Sequence, residues 1–279
     1  MPPLTEGTLR PALGRLDEAR HPLLRRLSRE EIHDGGNWMA PGGLLLADML
    51  AEALSLQAGE HVLDLGCGRG QSSVFLASQH QVQVTSLDLW ISADERRQRA
   101  AQAGVQELIT PLQGDIRRGV PVAAGSLDAI FCLQSFHCFG TRPWVLRYLA
   151  SLLRPGGRIG IAQGCFREEV SVFPPLFTQT DGWNAEYDRY HSPGWWGDHL
   201  ASEESLEVTR AEEVQDGDLL WDEDILQRCA RHGWSAEYLE QSAWLINHVL
   251  HGKLASPSLT HCLVVASKRR HSPGEMVKS

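Results

Sequence analysis

The sequence predicts an α/β fold, a doubly wound and mostly parallel seven-stranded sheet. Between residues 61 and 163, five apolar runs of strand length alternate with stretches of helical character, a rhythm that builds a parallel sheet covered by helices. Beyond residue 164, LEVTRAEEV (206–214) and HCLVVASK (261–268) add two more strand-like runs. The chain's 279 residues, 42% of them hydrophobic, suffice for one large domain with a substantial core.

Residues 1–20 are expected to be a mobile end, and residues 21–57 an N-terminal helical flap. HPLLRRLSREEI (21–32) sets Leu23, Leu24 and Leu27 on one side of a short helix. HDGGNWMAPGG (33–43) has four glycines and a proline and reads as loop. LLLADMLAEALSL then spaces Leu46, Met49, Leu50, Ala53 and Leu54 along one helical face.

The main domain is expected over 58–268. HVLDL is its first strand, SSVFLASQ a helix after a glycine turn, and QVTSLDL (83–89) the second strand. Ser92 to Glu95 form a capping box that opens a helix ending near Gly104. ELITPLQ and LDAIFCL (127–133) are the third and fourth strands. Thr141 and Pro143 start a helix that runs to RPGG, and RIGIAQ (158–163) is the fifth strand. Right-handed crossovers then bring the strand C-termini, and any ligand, to one edge. Insertions at about 165–205 and 215–258 carry all six tryptophans found after residue 164, and 269–279 reads as a frayed tail.

With 26 Lys+Arg against 35 Asp+Glu, the net charge is -9, which disfavours a nucleic-acid partner. No stretch has the roughly 18 apolar residues of a membrane span, and the N-terminus does not read as a signal peptide. The six cysteines form no CxxC pair. No membrane insertion, no metal and a cytoplasmic location are the expectations; the oligomeric state is left open.

The chemistry concentrates in VLDLGCGRGQSS (62–73). A Walker loop would end in GK[ST], and here Gly70 is followed by Gln71. A dinucleotide loop would place its third glycine one residue later. Asp64, at the strand end, suits a ligand ammonium better than a pyrophosphate. Gly66, Gly68 and Gly70 let a ligand approach the backbone, and the helix that follows offers free amides to a carboxylate. Asp88 is placed to accept from ribose hydroxyls, and Asp115 from an adenine amino group. Amino acid, ribose and adenine together describe S-adenosylmethionine.

In this order, VLDLGCGRG, SLD, QGDI, SLDAIFC and LLRPGGRIGI resemble the class I S-adenosylmethionine-dependent methyltransferases over residues 62–164. A wider likeness, over about 21–268, is to bacterial small-molecule methyltransferases related to cyclopropane-fatty-acid synthase, through GGNWMAPGGLLL and HSPGWW. The resemblance implies a Rossmann-like methyltransferase fold whose helical, aromatic insertion serves as a substrate lid. It implies that Asp64, Gly66, Gly68 and Gly70 line the methionine end, that Asp88 and Leu89 hold the ribose, and that Asp115 and Ile116 flank the adenine. Gln134 is implied to face the sulfonium.

The sulfonium is already electrophilic, so the protein must chiefly align the acceptor, with a base where the acceptor loses a proton. His137, just beyond the fourth strand, and His191, in YHSPGWW, are the candidates; each also has a plain structural reading, His191 as the residue before a helix start. Trp38, Trp195 and Trp196 are candidates for the substrate pocket, with packing as the alternative. The acceptor is expected to be a small organic molecule, methylated at N, O or C. A cofactor-binding protein without catalysis and an NAD-dependent oxidoreductase are the competing readings.

Overall fold

HVLDL forms β1 (His61–Leu65), buried at four of its five positions. A run apolar on both faces belongs inside a sheet, and β1 lies between parallel β2 (Gln83–Asp88) and parallel β4 (Leu127–Leu133). β3 (Ile109–Gln113) pairs with β2, and β5 (Leu153–Phe166) with β4. β7 (Leu259–Lys268) runs antiparallel between β5 and the edge strand β6 (Leu206–Glu213). The sheet order is thus β3-β2-β1-β4-β5-β7-β6. It reverses between β1 and β4, and at such a point the connections leave to opposite faces and open a crevice beyond the strand C-termini. The computed structural model describes residues 5–28, 32, 39, 41–172, 188–241 and 259–270.

The helices are α1 (Glu6–Leu9), α2 (Gly43–Leu54), α3 (Gln71–His80), α4 (Ala93–Gln102), α5 (Pro143–Leu152), α6 (Pro193–Ala201), α7 (Gly217–Arg231) and α8 (Ala236–Gln241). Their starts follow local chemistry. The Glu95 amide donates to Ser92 Oγ and the Trp195 amide to Ser192 Oγ, both at 3.2 Å, which satisfies amides the helix itself leaves unpaired. Pro143 and Pro193 take first positions, where a missing N–H costs nothing.

Hydrophobic burial covers both faces of the sheet. Leu46, Leu50 and Leu54 of α2 pack with Phe75 and Leu76 of α3, and Leu146 and Leu149 of α5 with Trp196 and Leu200 of α6. The approach of α2 is so close that a Cβ on Gly160 of β5 would lie 2.8 Å from Leu50 and Leu54. Met49 and Ala53, expected in the same stripe, are only partly buried.

Two N-terminal expectations change. Of the helix expected over 21–32, the described residues show a 3₁₀ turn at Pro22–Arg25 and, at the far end, Ile32 in helical conformation with its amide donating to Ser28 O at 3.0 Å. The expected mobile end packs onto the domain: Leu9 is fully buried and joins Phe166, Tyr190 and Trp221 in a third apolar cluster. A leucine pair spaced for burial, Leu9 and Leu16, explains this better than the surrounding prolines and charges.

Candidate cofactor and acceptor site

The turn after β1 folds back on the end of β2. The amides of Gly66 and Cys67 donate to Leu87 O at 2.8 and 3.1 Å. Gly66 has φ +74°, and a Cβ there would fall 2.2 Å from Ser135 Oγ, so both conformation and space require glycine. The Gly68 amide donates to Asp88 Oδ2 at 2.8 Å; the amides of Trp90 and Ile91 donate to Asp88 Oδ1 at 2.8 and 3.0 Å. Three amides on a carboxylate leave it about one strong acceptor position.

Two adjoining cavities, about 430 and 390 Å³, form a groove over this turn. Gly66, Asp88, Trp90, Ser135 and Cys138 belong to the walls of both. The smaller cavity is lined by Leu89, Asp115 and Ile116, and the larger by Gly68, Gln134 and His137. Seven of the nine residues expected at a cofactor, Gly66, Gly68, Asp88, Leu89, Asp115, Ile116 and Gln134, therefore line one groove.

Asp64 and Gly70 do not line it. Asp64 is fully buried beneath the turn, where Oδ2 accepts from Ser72 Oγ at 2.7 Å and Ser73 Oγ at 2.6 Å. Burial pushes its pKa up to about 6, against the lowering effect of the two serines. Its Oδ2 thereby ties down the start of α3, and its Oδ1 is buried without a partner. Gly70 (φ +88°) precedes α3, and a Cβ there would press at 3.3 Å on the stem of buried Arg96. The Arg96 guanidinium donates to the carbonyls of Ile91 and Leu112, tying the ends of β2 and β3 beneath the groove.

Asp115 is held by Arg117, whose Nη2 donates at 2.8 Å; that hydrogen bond leads the effects keeping the carboxyl below its usual range. Gln134 has φ +56°, a strained position for a residue with a Cβ. Its Oε1 accepts from the Gly164 amide at 2.9 Å and its Nε2 donates to Pro41 O, so the side chain joins β4, β5 and the flap.

The two histidines part company. His137, only 4% exposed, lines the groove beyond β4, and its amide donates to Gln163 Oε1 at 3.0 Å. Burial lowers its pKa to about 4, so the imidazole is neutral at physiological pH. Its Nδ1 is buried without a partner. His191 lies outside the groove walls: its Nδ1 meets Glu169 Oε1 at 2.7 Å and its ring stacks on Trp195 at 3.6 Å. Trp195 and Trp196 are outside the walls as well. Trp196 is fully buried against Phe136 at 5.6 Å, because the face of α6 that carries it closes on β6 and β7. Trp38 falls outside the described residues.

The residues that take those places come from farther along. Trp221, Asp224, Ile225 and Arg228 recur at i, i+3, i+4 and i+7 on α7, so one helical face forms a wall of the larger cavity. Tyr190 and Tyr238 join them. Asp224, 1% exposed, accepts from Arg228 Nε at 2.6 Å, leaving this wall internally neutral. LLW in the insertion was a partial signal; the i, i+4 spacing of Asp224 and Arg228 was a second one. Among the described residues, no group of three or more His, Cys, Asp or Glu could hold a metal, and no helix is long and apolar enough to cross a membrane.

Residues 62–157 match the family described as "Methyltransferase domain". One relative is a 27-O-demethylrifamycin SV methyltransferase of Amycolatopsis mediterranei (strain S699), 33% identical over 156 residues, covering 53% of this chain and 57% of that one. Haemonchus contortus phosphoethanolamine N-methyltransferase 2, solved with phosphomonomethylethanolamine and S-adenosylhomocysteine, superposes with a TM-score of 0.67 at 15% identity, over 92% of this chain and 61% of that one. Geranyl diphosphate C-methyltransferase from Streptomyces coelicolor A3(2), solved with Mg2+, geranyl diphosphate and S-adenosylhomocysteine, gives 0.61 at 18% identity, over 91% and 85%. The chain spans about half the length of the curated relatives it matches.

With its sheet order and glycine turn, the chain carries a class I S-adenosylmethionine-dependent methyltransferase domain, and S-adenosylmethionine is the cofactor of that domain. The narrower likeness to the cyclopropane-fatty-acid synthase group has only loose support in these matches. The residues present suit the cofactor. The bare turn at Gly66 and Gly68 admits a ligand to the backbone, and Asp88 opens to both halves of the groove.

Proposed function

We propose that this chain transfers a methyl group from S-adenosylmethionine to a hydroxyl oxygen of a small organic acceptor. Bound S-adenosylmethionine supplies an electrophilic methyl group, so the protein's own work is alignment and proton removal. In this reading Asp88 and Leu89 hold the ribose, Asp115 and Ile116 flank the adenine, and Gly66, Gly68 and Gln134 line the methionine end. The observation that carries the choice of oxygen is His137. A neutral imidazole in the groove wall has an acceptor nitrogen for the hydroxyl proton, and burial keeps that nitrogen unprotonated at neutral pH. Trp221, Tyr190 and Tyr238 give the acceptor an aromatic surface, and the Asp224–Arg228 pair presents it no net charge. That composition fits a neutral, hydroxylated ring compound better than a phosphorylated amine or a diphosphate, whose burial would leave a charge uncompensated.

The test is incubation with methyl-labelled S-adenosylmethionine and a panel of phenols, hydroxylated polyketides, amines and prenyl diphosphates. Label on oxygen, with matching S-adenosylhomocysteine, is the expected result. Label on nitrogen or carbon alone would overturn the choice of oxygen. Binding of S-adenosylhomocysteine with no transfer to any acceptor would favour the non-catalytic alternative.

A further inference from the structure

The helix that walls the groove is held in place by the chain's own N-terminal arm. α7 carries three consecutive carboxylates, Asp222, Glu223 and Asp224, exposed only 9%, 2% and 1%. A buried charge demands a partner: Asp224 pairs with Arg228 on the groove face of its own helix, and Glu223 accepts from Gln227 Nε2 at 3.1 Å. Asp222 and Glu223 meet the arm. The Gly14 amide donates to Glu223 Oε2 at 2.8 Å, and Arg15 Nη2 donates to Asp222 Oδ2 at 2.9 Å. At the start of the helix, Asp216, in the left-handed region at φ +57°, accepts from Arg20 Nη1 at 3.0 Å and lies 3.2 Å from His21 Nε2. Leu9 completes the contact by packing against the apolar cluster that includes Trp221, Ile225 and Leu226. The arm therefore reaches α7 at its N-cap, Asp216, and at Asp222 and Glu223, while Trp221, Asp224, Ile225 and Arg228 line the groove.

We propose that the N-terminal arm positions the acceptor wall: Gly14 and Arg15, through Glu223 and Asp222, set where α7 stands and so govern acceptor affinity without touching acceptor or cofactor. The inference rests on the reading of the α7 face as the acceptor wall. It separates the two halves of the site in a definite way. The cofactor half is built on β1, β2 and β4, and among the described residues none of 5–21 lines it; the acceptor half stands on a helix held by the Gly14 amide and the Arg15 guanidinium, 209 and 207 residues away in sequence. Arg15 is thus a positioning residue, 43% exposed at its side chain and replaceable without opening the core.

The experiment compares the full chain with Arg15→Ala, Arg15→Lys and Glu223→Gln. Hydrogen exchange over 217–231 is read first, because it needs no acceptor. Arg15→Ala is expected to speed exchange there about tenfold while strands β1 and β4 keep their protection. The dissociation constant of S-adenosylhomocysteine, from calorimetry, is expected to stay within about twofold. With an acceptor that turns over, KM should rise about fivefold or more with kcat nearly unchanged, and Arg15→Lys should recover most of the loss. Unchanged exchange over 217–231, or a loss shared equally by cofactor affinity, would overturn the proposal. Trp221→Phe serves as the control for the reading beneath it. If exchange responds to Arg15→Ala but acceptor KM responds to neither variant, the clamp exists and the acceptor lies elsewhere, which also overturns the proposal as stated.

Discussion

The Gly68 amide donates to Asp88 Oδ2 at 2.8 Å, so the acid that ends β2 also fixes the turn that follows β1. The proposed ribose contact would join recognition and local stability in one carboxylate. Asp88→Ala frees three amides, those of Gly68, Trp90 and Ile91, and is expected to cost about 1–3 kcal/mol of stability. Asp88→Asn keeps an acceptor oxygen and should lose less stability while still weakening S-adenosylhomocysteine about tenfold or more. Thermal unfolding and calorimetry on both variants separate the two effects.

Gly66→Ala should abolish cofactor binding. The new methyl would meet Ser135 Oγ at 2.2 Å and the backbone stands at φ +74°, together a cost of at least about 1–2 kcal/mol. Adding Ser135→Gly removes the clash but not the strained φ, so binding should return only in part. Full recovery in the double variant would show that space alone dictates glycine here.

The pH dependence of stability has opposing parts. Burial lowers His137 and His261 to about 4 each. Because an unfolded imidazole titrates near 6.5, the unfolded chain binds more protons as pH falls from about 6.5 to about 4, and stability falls with it. Burial raises Asp64 and Asp48 from 3.8 to about 6, so between these values the folded chain holds the extra proton and stability rises as pH falls. The two effects thus oppose each other, with the lowered His80, His199, Asp115 and Asp128 acting in the same direction as the two histidines. His137→Asn removes one destabilising contribution and should gain stability relative to wild type between about pH 6.5 and about pH 4. Urea unfolding across that range checks this; parallel curves would contradict it. Transfer by wild type should likewise show no histidine break near 6.5 in kcat/KM.

His191→Gln is expected to leave kcat/KM within about twofold, because the ring stacks on Trp195 and pairs with Glu169 away from the groove. His137→Asn should lower kcat about 100-fold or more, as expected for loss of a general base. Steady-state rates with the same acceptor give both numbers.

Much of the domain was legible because its signals are local. The five strands alternate with helices, Ser92 and Pro143 mark helix starts, and the glycine turn stands where three residues of φ near or above +50° are needed. The errors share a cause. Asp64 reads as a ligand contact because it ends a strand, and only the fold shows Ser72 and Ser73 closing over it. Trp195 and Trp196 read as a pocket because they are adjacent and aromatic, whereas Trp221 was buried in a plain helical pattern. Which aromatic residue faces a groove depends on helix docking, and the docking of α7 depends on Gly14 and Arg15, which local pattern cannot connect to residue 222.

The account's central claim meets its most direct test in calorimetric titration of S-adenosylhomocysteine into the full chain and its Asp88→Ala variant, with NAD titrated in parallel. The account predicts a single site for S-adenosylhomocysteine that collapses in the variant, and no heat from NAD. Binding of NAD in place of S-adenosylhomocysteine, or S-adenosylhomocysteine binding indifferent to Asp88, would contradict it.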